Sequence, residues 1–537
     1  MTLNLADLFE AVAAAVPERE AVVCGGDRLT YAQLDERADR LAERLVAAGL
    51  EPGDHVGIHM LNGVEFVESL LGLVKARLVP VNVNYRYTER ELTYLYDNAD
   101  LAGLIVGADF TTEAAAAVAA CETLRHVVVH EQAAARPAEW PAAVSVADYE
   151  QAIADASGDW ERPERSDDDL YVLYTGGTTG MPKGVMWRHE DFYYAALSGG
   201  DPASDDTHDT PQELAAAAQQ AGVVTYVIAP PLMHGAASYT LFTALFMGGK
   251  VVLIRRFDPH EVLRAIQDEQ AMILTVVGDA MARPIVDALE EADGGYDLSS
   301  MFVFGSGGAL LSPSTREALL AHKPDMIVRD NFGASESGND GQLEVEPDGT
   351  MRLAPNPRVT VVDDDLRPLE PGSDHGGWVA RRGHVPVGYY KDEEKTARTF
   401  PVIDGERWAI LGDVARLEAD GSVVVHGRGS GVINTGGEKV FPEEVEAALK
   451  AHPAVMDVLV AAVPDERFGQ RVGAVVQIRD DVPAPSVEEL RDHCRDHIAG
   501  YKVPAVVELV DEVQRSPSGK ADYRWALRVL SPATSGT

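Results

Sequence analysis

Apolar positions recur along the chain with two periods. Leu34, Ala38, Leu41 and Leu45 return at helical spacing behind Thr30, a hydroxyl suited to an N-cap, and Gly49 follows as a stop. Val56–Met60, Val79–Val83 and Leu104–Val106 are apolar runs of strand length, and a helix is predicted over Val64–Arg77. Strands alternating with helices predict parallel α/β sheets across residues 1–165. Within that region the Ala-rich residues 112–120 and residues 131–147 read as surface helix and loop. Leu170–Tyr174 reads as a buried strand. Residues 199–222 turn polar and then Ala-rich, which reads as a solvated insertion, with His208 lying in an acidic loop rather than a metal site. From residue 357 the pattern changes to short β segments, Val359–Val362, Gly376–Val379 and Gly388–Tyr390. Farther on, strands over Val458–Val463 and Ala474–Ile478 and a helix over Val487–Ile498 predict a small α/β unit. His493 and His497 stand one turn apart on that helix, but Arg491, Asp492, Arg495 and Asp496 around them make a solvated face the reading.

At 537 residues the chain is long enough for more than one core, so more than one domain is expected. No apolar run approaches the ~18 residues of a membrane span, and the first residues lack the basic start of a signal peptide. Cys24, Cys121 and Cys494 are far apart and form no disulfide framework, which fits a reducing cytoplasm. Lys and Arg number 46 against 86 Asp and Glu, a formal net charge of −40. That excess argues against nucleic acid or an anionic membrane surface as partner. It also sets a condition: a polyanionic ligand has to be held by local devices.

One stretch offers such a device. Behind the strand at 170–174 comes Thr175, Gly176, Gly177, Thr178, Thr179, Gly180, Met181, Pro182, Lys183 and Gly184. The glycines free the backbone for close approach, the hydroxyls and amides donate, and Lys183 adds a cation, which together suit polyphosphate oxygens. Pro182 before the lysine and the lack of a following Ser or Thr exclude a Walker A loop. Other segments end strands in small or polar residues: Val227–Gly235, which presents His234; Thr275–Asp279, with Gly278; and Phe304–Gly308, with Gly307 and Gly308. The last two suit a flat ligand lying against backbone. Glu336 offers a hard oxygen for a divalent cation, and Asp413, on a turn, can accept a pair of hydroxyls.

The 174–185 stretch resembles the phosphate-binding signature of the adenylate-forming superfamily, which includes acyl-CoA synthetases, adenylation domains of non-ribosomal peptide synthetases and luciferases. Asp330–Glu336 resembles that family's Asn-aromatic-Gly-x-Thr-Glu motif, His426–Glu446 its hinge region, and Arg515–Lys520 its terminal lysine loop. The resemblance covers nearly the whole chain and is strongest to actinobacterial fatty-acid and sterol-side-chain CoA ligases. It implies a large N-terminal domain, residues 1–429, of two α/β subdomains and a small distorted β-barrel, followed by a small mobile α/β domain, residues 430–537. It implies that Thr175–Gly180 and Lys183 hold phosphates, and that Gly307, Gly308, Asn331, Phe332 and Gly333 meet the adenine. Ser335 would contact the α-phosphate, Glu336 a Mg²⁺ ion, Asp413 the ribose, and Arg428 the ribose and phosphate. His234, Gly235, Ser238, Tyr239 and Gly278 would border the acid, Ser430 would be the hinge, and Gly436 and Gly437 would enter the site in a second pose. Lys520 would reach the reacting carboxylate.

The chain departs from the family pattern in three places. Ser430, between Gly429 and Gly431, replaces the usual Asp or Lys of the hinge. The residues before Asp413 differ from Arg-Thr-Gly, so only the aspartate and its glycine carry over. No aspartate follows His234, where Gly235, Ala236, Ala237 and Ser238 stand instead, so an unpaired ammonium would be costly and an α-amino acid is disfavoured. The resemblance therefore implies an ATP-dependent acyl-CoA ligase for a hydrophobic carboxylic acid, using ATP, Mg²⁺ and coenzyme A. Two alternatives stand beside it: an adenylating enzyme with another acceptor or acid (an amine, a carrier protein, or nitrous acid in diazotisation), and a non-catalytic nucleotide-binding protein.

Overall fold

The computed structural model describes residues 2–131, 134, 138–175, 181–202, 206–292, 294–309, 311–346, 350–428, 431–435, 438–465, 469–480, 482–498, 500–515 and 521–530. The predicted first long helix is Tyr31–Ala47. Thr30 accepts from the Gln33 amide while the Gln33 side chain returns to Thr30 N, a capping box, and Gly49 takes φ +95° just past the end.

Among the described residues three sheets organise the chain. One has eight strands in the order Gly388–Tyr389, Lys183–Arg188, Leu170–Thr175, Val79–Asn82, His55–His59, Leu101–Gly107, His126–His130 and Ser145–Asp148. The run from Leu170–Thr175 onward is parallel, and its strands from Leu170–Thr175 to Leu101–Gly107 are buried, as their unbroken apolar runs require. A 14-stranded sheet begins with parallel strands that include Thr225–Ile228, Ile273–Val276, Val303–Gly307 and Ile327–Ala334. It continues through antiparallel strands that include Gly338–Val345, Val423–Arg428, Glu406–Leu417, Gly377–Arg382 and Val359–Val362. Two of the segments expected in a small barrel, Val359–Val362 and Gly376–Val379, fall in this antiparallel half, which closes on its own cluster of Leu353, Val361, Val379, Ala415 and Val425 and is hydrogen-bonded to the parallel half through Ile327–Ala334. The third, Gly388–Tyr389, pairs instead with Lys183–Arg188 in the eight-stranded sheet.

The third sheet is the small α/β unit, with strands that include Val455–Asp465, Gly469–Ile478 and Val506–Val510. Alternate residues of Val455–Asp465 feed opposite cores: Val458 and Val460 meet Leu490 and Cys494, while Leu459 and Ala461 meet Ala526 and Leu530.

Three surface readings need correction. The Ala-rich helix, Thr111–Val118, buries Ala114, Ala115, Ala117 and Val118, because methyl side chains let it lie close to its neighbours. Ser145–Asp148, inside the expected loop, is an edge strand. The supposed solvated insertion contains the helix Pro211–Gln220, capped by Thr210, whose Leu214 and Ala218 are buried and which packs on the helix Leu5–Ala15. His493 Nε2 lies 3.0 Å from Ala448 O, and His497 is exposed. Among the described residues no group of three or more metal-binding side chains occurs, and no helix is long and apolar enough to cross a membrane.

A buried ion cluster ties the first helices together. Lys75 Nζ lies 2.6 Å from Glu10 and 2.9 Å from Asp35, and Arg165 bonds both Glu10 and Asp7 at 2.8 Å. Burial opposes ionisation of Glu10, but the Arg165 and Lys75 contacts outweigh it and hold the carboxyl down to about 2. A lowered carboxyl pKa stabilises the fold above the unfolded value and loses that contribution as pH falls through the folded one. Glu10→Gln is therefore expected to cost about 2–3 kcal/mol at neutral pH. In urea titrations its deficit against the parent should shrink as pH drops from about 4.5 to about 2; a deficit independent of pH would contradict this.

Candidate functional site

The phosphate-loop segment is flanked by two paired strands. Leu170–Thr175 and Lys183–Arg188 pair antiparallel, with Thr175 opposite Lys183 and Tyr174 opposite Gly184. Gly176, Gly177, Thr178, Thr179 and Gly180 lie outside the described residues. Gly184, read from sequence as a loop glycine, sits in the strand. A Cβ there would lie 2.7 Å from the Tyr174 ring, so its role is to admit that ring.

Lys183 enters a cluster that sequence reasoning did not anticipate. Its Nζ lies 2.7 Å from Asp392 Oδ2, and the ammonium holds the Asp392 carboxyl below its ordinary range. The Tyr389 ring lies 5.7 Å from Lys183 Nζ and 4.6 Å from Lys395 Nζ, and the Tyr389 hydroxyl donates to Glu336 Oε1 at 2.9 Å. Burial, and then the neighbouring Lys183 charge, pull the Lys395 pKa down. Two cations and one carboxylate thus share a single aromatic ring.

The adenine-side candidates meet where the large sheet changes pairing. Gly307 stands beside Asn331 in the parallel ladder, Asn331 Nδ2 donates to Ser306 O at 3.2 Å, and Gly278 N donates to Ser306 Oγ at 3.2 Å. Gly278 and Gly308 take φ of +53° and +84°, which suits glycine. A register shift follows Phe332, and a Cβ on Gly333 would fall 2.1 Å from Gly338 O. The strand then turns at Ser335–Ser337. Trp187 Nε1 donates to Ser335 O at 2.8 Å, and Ser337 Oγ bonds Asp340. Asp340 is paired at 2.6 Å with Arg381, both nearly buried. Burial, with the charge of Asp413 adding to it, raises the Asp340 pKa against the opposing pull of Arg381 and Ser337. The backbone of Asp413 stands opposite that of Arg428.

The acid-side candidates lean on the same turn. His234 is the N-cap residue of the helix Gly235–Phe246. A Cβ on Gly235 would lie 3.3 Å from Tyr239 Cζ and 3.5 Å from Ser335 Oγ, so Gly235 leaves room between these two side chains. Tyr239 is half-buried, and Ser238 is fully buried with its hydroxyl donating to Gly235 O at 3.2 Å. Ser238 therefore faces inward, beneath its own helix turn. Two buried asparagines fix the approach. Asn62 bonds Pro230 O, Ile254 O and Leu232 N; Asn82 donates to Tyr174 O at 3.0 Å and Met233 O at 2.5 Å, and accepts from Tyr174 N at 2.6 Å. Asn82 clamps the hairpin to the turn carrying His234.

The structure thus brings together Lys183, Glu336, Ser335, Gly235 and Tyr239, and beside them Gly278, Gly307 and Asn331. Ser430, Gly436, Gly437 and Lys520 lie outside the described residues. The sequence reading missed Asn82, Trp187, Tyr389, Asp392 and Lys395. Only the spacing of Asp392 and Lys395, a capping residue and a lysine three positions on, was legible, and it signals a helix start rather than a site.

The sequence model of the AMP-binding enzyme family matches residues 9–390, and that of the AMP-binding enzyme C-terminal domain matches residues 444–520. The chain belongs to the AMP-binding enzyme family. This AMP-binding enzyme is 48% identical to the 3-oxocholest-4-en-26-oate–CoA ligase of Rhodococcus rhodochrous, over 98% of this chain and 96% of that one. It is 47% identical to a medium/long-chain-fatty-acid–CoA/3-oxocholest-4-en-26-oate–CoA ligase of Mycobacterium tuberculosis, again over 98% and 96%. Among solved structures, the anthranilate CoA ligase AuaEII in complex with anthranoyl-AMP has the same fold, with a TM-score of 0.82 at 24% identity over 98% of this chain and 96% of that one. ATP-bound MatB from Rhodopseudomonas palustris gives 0.78 at 25% identity over 98% and 99%. The fold of this AMP-binding enzyme is therefore the expected one, a large N-terminal and a small C-terminal α/β domain.

Asn82→Ala removes three hydrogen bonds, two of them short, at the junction of hairpin and turn. It is expected to lower stability by about 2–3 kcal/mol in denaturant titration, with a several-fold rise in KM for ATP. No change in either would contradict the clamp.

Proposed function

We propose that this AMP-binding enzyme is an ATP-dependent acyl-CoA ligase, cytoplasmic, that activates a hydrophobic carboxylic acid as its adenylate and passes the acyl group to coenzyme A. One observation carries the reading: nearly the entire chain aligns at 48% identity with a relative named as a CoA ligase for a sterol side-chain acid. The local geometry supports it. An apolar helix start, Gly235–Tyr239, lies beside the turn that carries Ser335 and Glu336, and Lys183 and Glu336 both meet Tyr389, at its ring and at its hydroxyl. An acid lying on the first would have its carboxylate next to phosphates held by the second.

Each residue then has a task set by charge. Attack of a carboxylate on ATP brings two anions together, so the catalyst has to neutralise charge where it grows. Lys183 and residues 175–180 would hold the β- and γ-phosphates. Lys395, close to Lys183 and partly desolvated, joins them as a second cation. Ser335 would donate to the α-phosphate, and Lys520 would stabilise charge on the acyl and α-phosphoryl oxygens. Phe332 would stack on the adenine beside Asn331, Gly307 and Gly308, and Asp413 and Arg428 would take the ribose. His234, Tyr239 and Gly278 would line the acid. Glu336 fits a Mg²⁺ ion: its half-buried carboxylate is oriented by Tyr389, and such an ion is held by few carboxylates together with the phosphates of its ligand. When bound, the ion supplies further neutralisation of phosphate charge. For the second half-reaction, residues 430–537 would turn about Ser430, exchanging the Lys520 segment for Gly436 and Gly437.

A hydroxamate-trapping screen over short, long, aromatic and steroid acids tests this reading. Long-chain and steroid acids should give ATP-dependent hydroxamate, and AMP release with them should rise when coenzyme A is added. Lys520→Ala should slow the trapping reaction roughly 10²–10³-fold. Activity confined to small aromatic acids, or AMP release indifferent to coenzyme A, would contradict it.

A further inference from the structure

The small α/β unit meets the helix Gly278–Glu291 through a line of buried charges that the proposed chemistry does not use. Lys450, at the end of the helix Pro442–Lys450, places Nζ 3.0 Å from Asp279 Oδ2 and 3.2 Å from Asp457 Oδ1. The Lys450 and Asp279 side chains are each 8% exposed. Asp457 in turn receives Arg515 through Nη2 at 2.6 Å and Nε at 2.8 Å. On the other side, Asp279 Oδ1 accepts from Ser312 N at 2.9 Å and Ser312 Oγ at 3.1 Å. Its neighbour Gly278 bonds Ser306, under the adenine-side backbone. The charges alternate in sign from Asp279 through Lys450 and Asp457 to Arg515.

Arg515 also forms an antiparallel bridge with Ala521, so it stands at the root of the connection that carries Lys520. Two weaker contacts run alongside. Ser314 Oγ donates to Lys450 O at 3.3 Å, and Arg479 Nη1 lies 3.1 Å from Asp287 Oδ1, which Arg283 shares.

On the reading of Lys520 as the adenylating lysine, we propose that Asp279 and Lys450 are positioning residues for it. On this proposal their ion pair holds the C-terminal unit in the pose seen here, with Arg515 reaching toward Asp279 through Asp457 and Lys450, and that pose is the adenylating one. A desolvated pair is strongly coupled only while both partners stay together. Once the unit turns away, both ends return to water and the attraction falls to a small value. The pair therefore favours one pose over the other and leaves the turned pose accessible.

Asp279→Asn, Lys450→Met and the double variant are compared with Lys520→Ala in two assays. One is ATP–pyrophosphate exchange driven by the acid; the other is thioester formation from supplied acyl-adenylate and coenzyme A. Each single variant should lose about tenfold or more in exchange, with the double no slower than either single. Thioester formation should stay within about threefold of the parent. Equal loss in both assays would mean that the charges merely hold the fold, and unchanged exchange would mean that they do not position Lys520; either overturns the proposal. If Lys520→Ala itself keeps normal exchange, the reading of Lys520 fails first. A dead Lys520→Ala beside fully active Asp279→Asn and Lys450→Met overturns only the positioning role. Should Asp279→Asn fold poorly, Asp287→Asn removes the partly exposed Arg479 contact and should give the same split at smaller amplitude, an even loss again counting against it.

Discussion

The strand Ile327–Ala334 pairs parallel with Val303–Gly307 on one edge and antiparallel with Gly338–Val345 on the other, and the site lies where the sheet changes pairing. On the parallel side, strands end at one rim, where backbone approach is unobstructed and glycines replace side chains. On the antiparallel side, the chain has to reverse within three residues, Ser335, Glu336 and Ser337. That reversal is costly unless its polar groups are satisfied. Trp187 takes the Ser335 carbonyl, and Ser337 joins the buried Asp340–Arg381 pair beneath. A buried ion pair adds little net stability, but losing one partner is severe, so it fixes one geometry of the turn. The orientation of Glu336 follows from that geometry.

Electrostatics is the second constraint. The chain carries a net charge of −40, and its site has to attract a polyanion. The answer is local: Lys183 and Lys395 on one aromatic ring, with Asp392 and Glu336 as counter-charges at short range. Interactions at this distance in a partly desolvated pocket outweigh the distant surface charge, which salt screens beyond about 10 Å. The same economy operates at the domain contact, where Lys450 sits between Asp279 and Asp457.

Much of this was legible in the sequence. The capping box at Thr30, the buried parallel strands and the order of the motifs predicted the fold, because each is a local pattern of hydrophobicity or backbone chemistry. The acid-facing residues were legible only in part. Ser238 was read as bordering the acid; it is buried with its hydroxyl on Gly235 O, while Tyr239 and Ser335 both lie beside Gly235. Gly184 was read as a loop residue, and its strand role depends on a tyrosine ring ten residues away. Asn82, Tyr389 and Lys395 escaped notice because their meaning comes from partners far along the chain: Asn82 from Met233, and Tyr389 from Glu336. No local pattern signals a contact between distant strands. Pro211–Gln220 was misread for a related reason, since a few small apolar residues suffice to dock a helix when Pro and Thr start it.

The central claim is that the two halves of the site join a carboxylate oxygen to the α-phosphorus of ATP. A single turnover with an acid labelled with heavy oxygen in its carboxylate, followed by mass spectrometry of the nucleotide and phosphate products, tests it most directly. One labelled oxygen should appear in AMP and none in pyrophosphate. Label in inorganic phosphate alongside ADP, or AMP without label, would contradict the account.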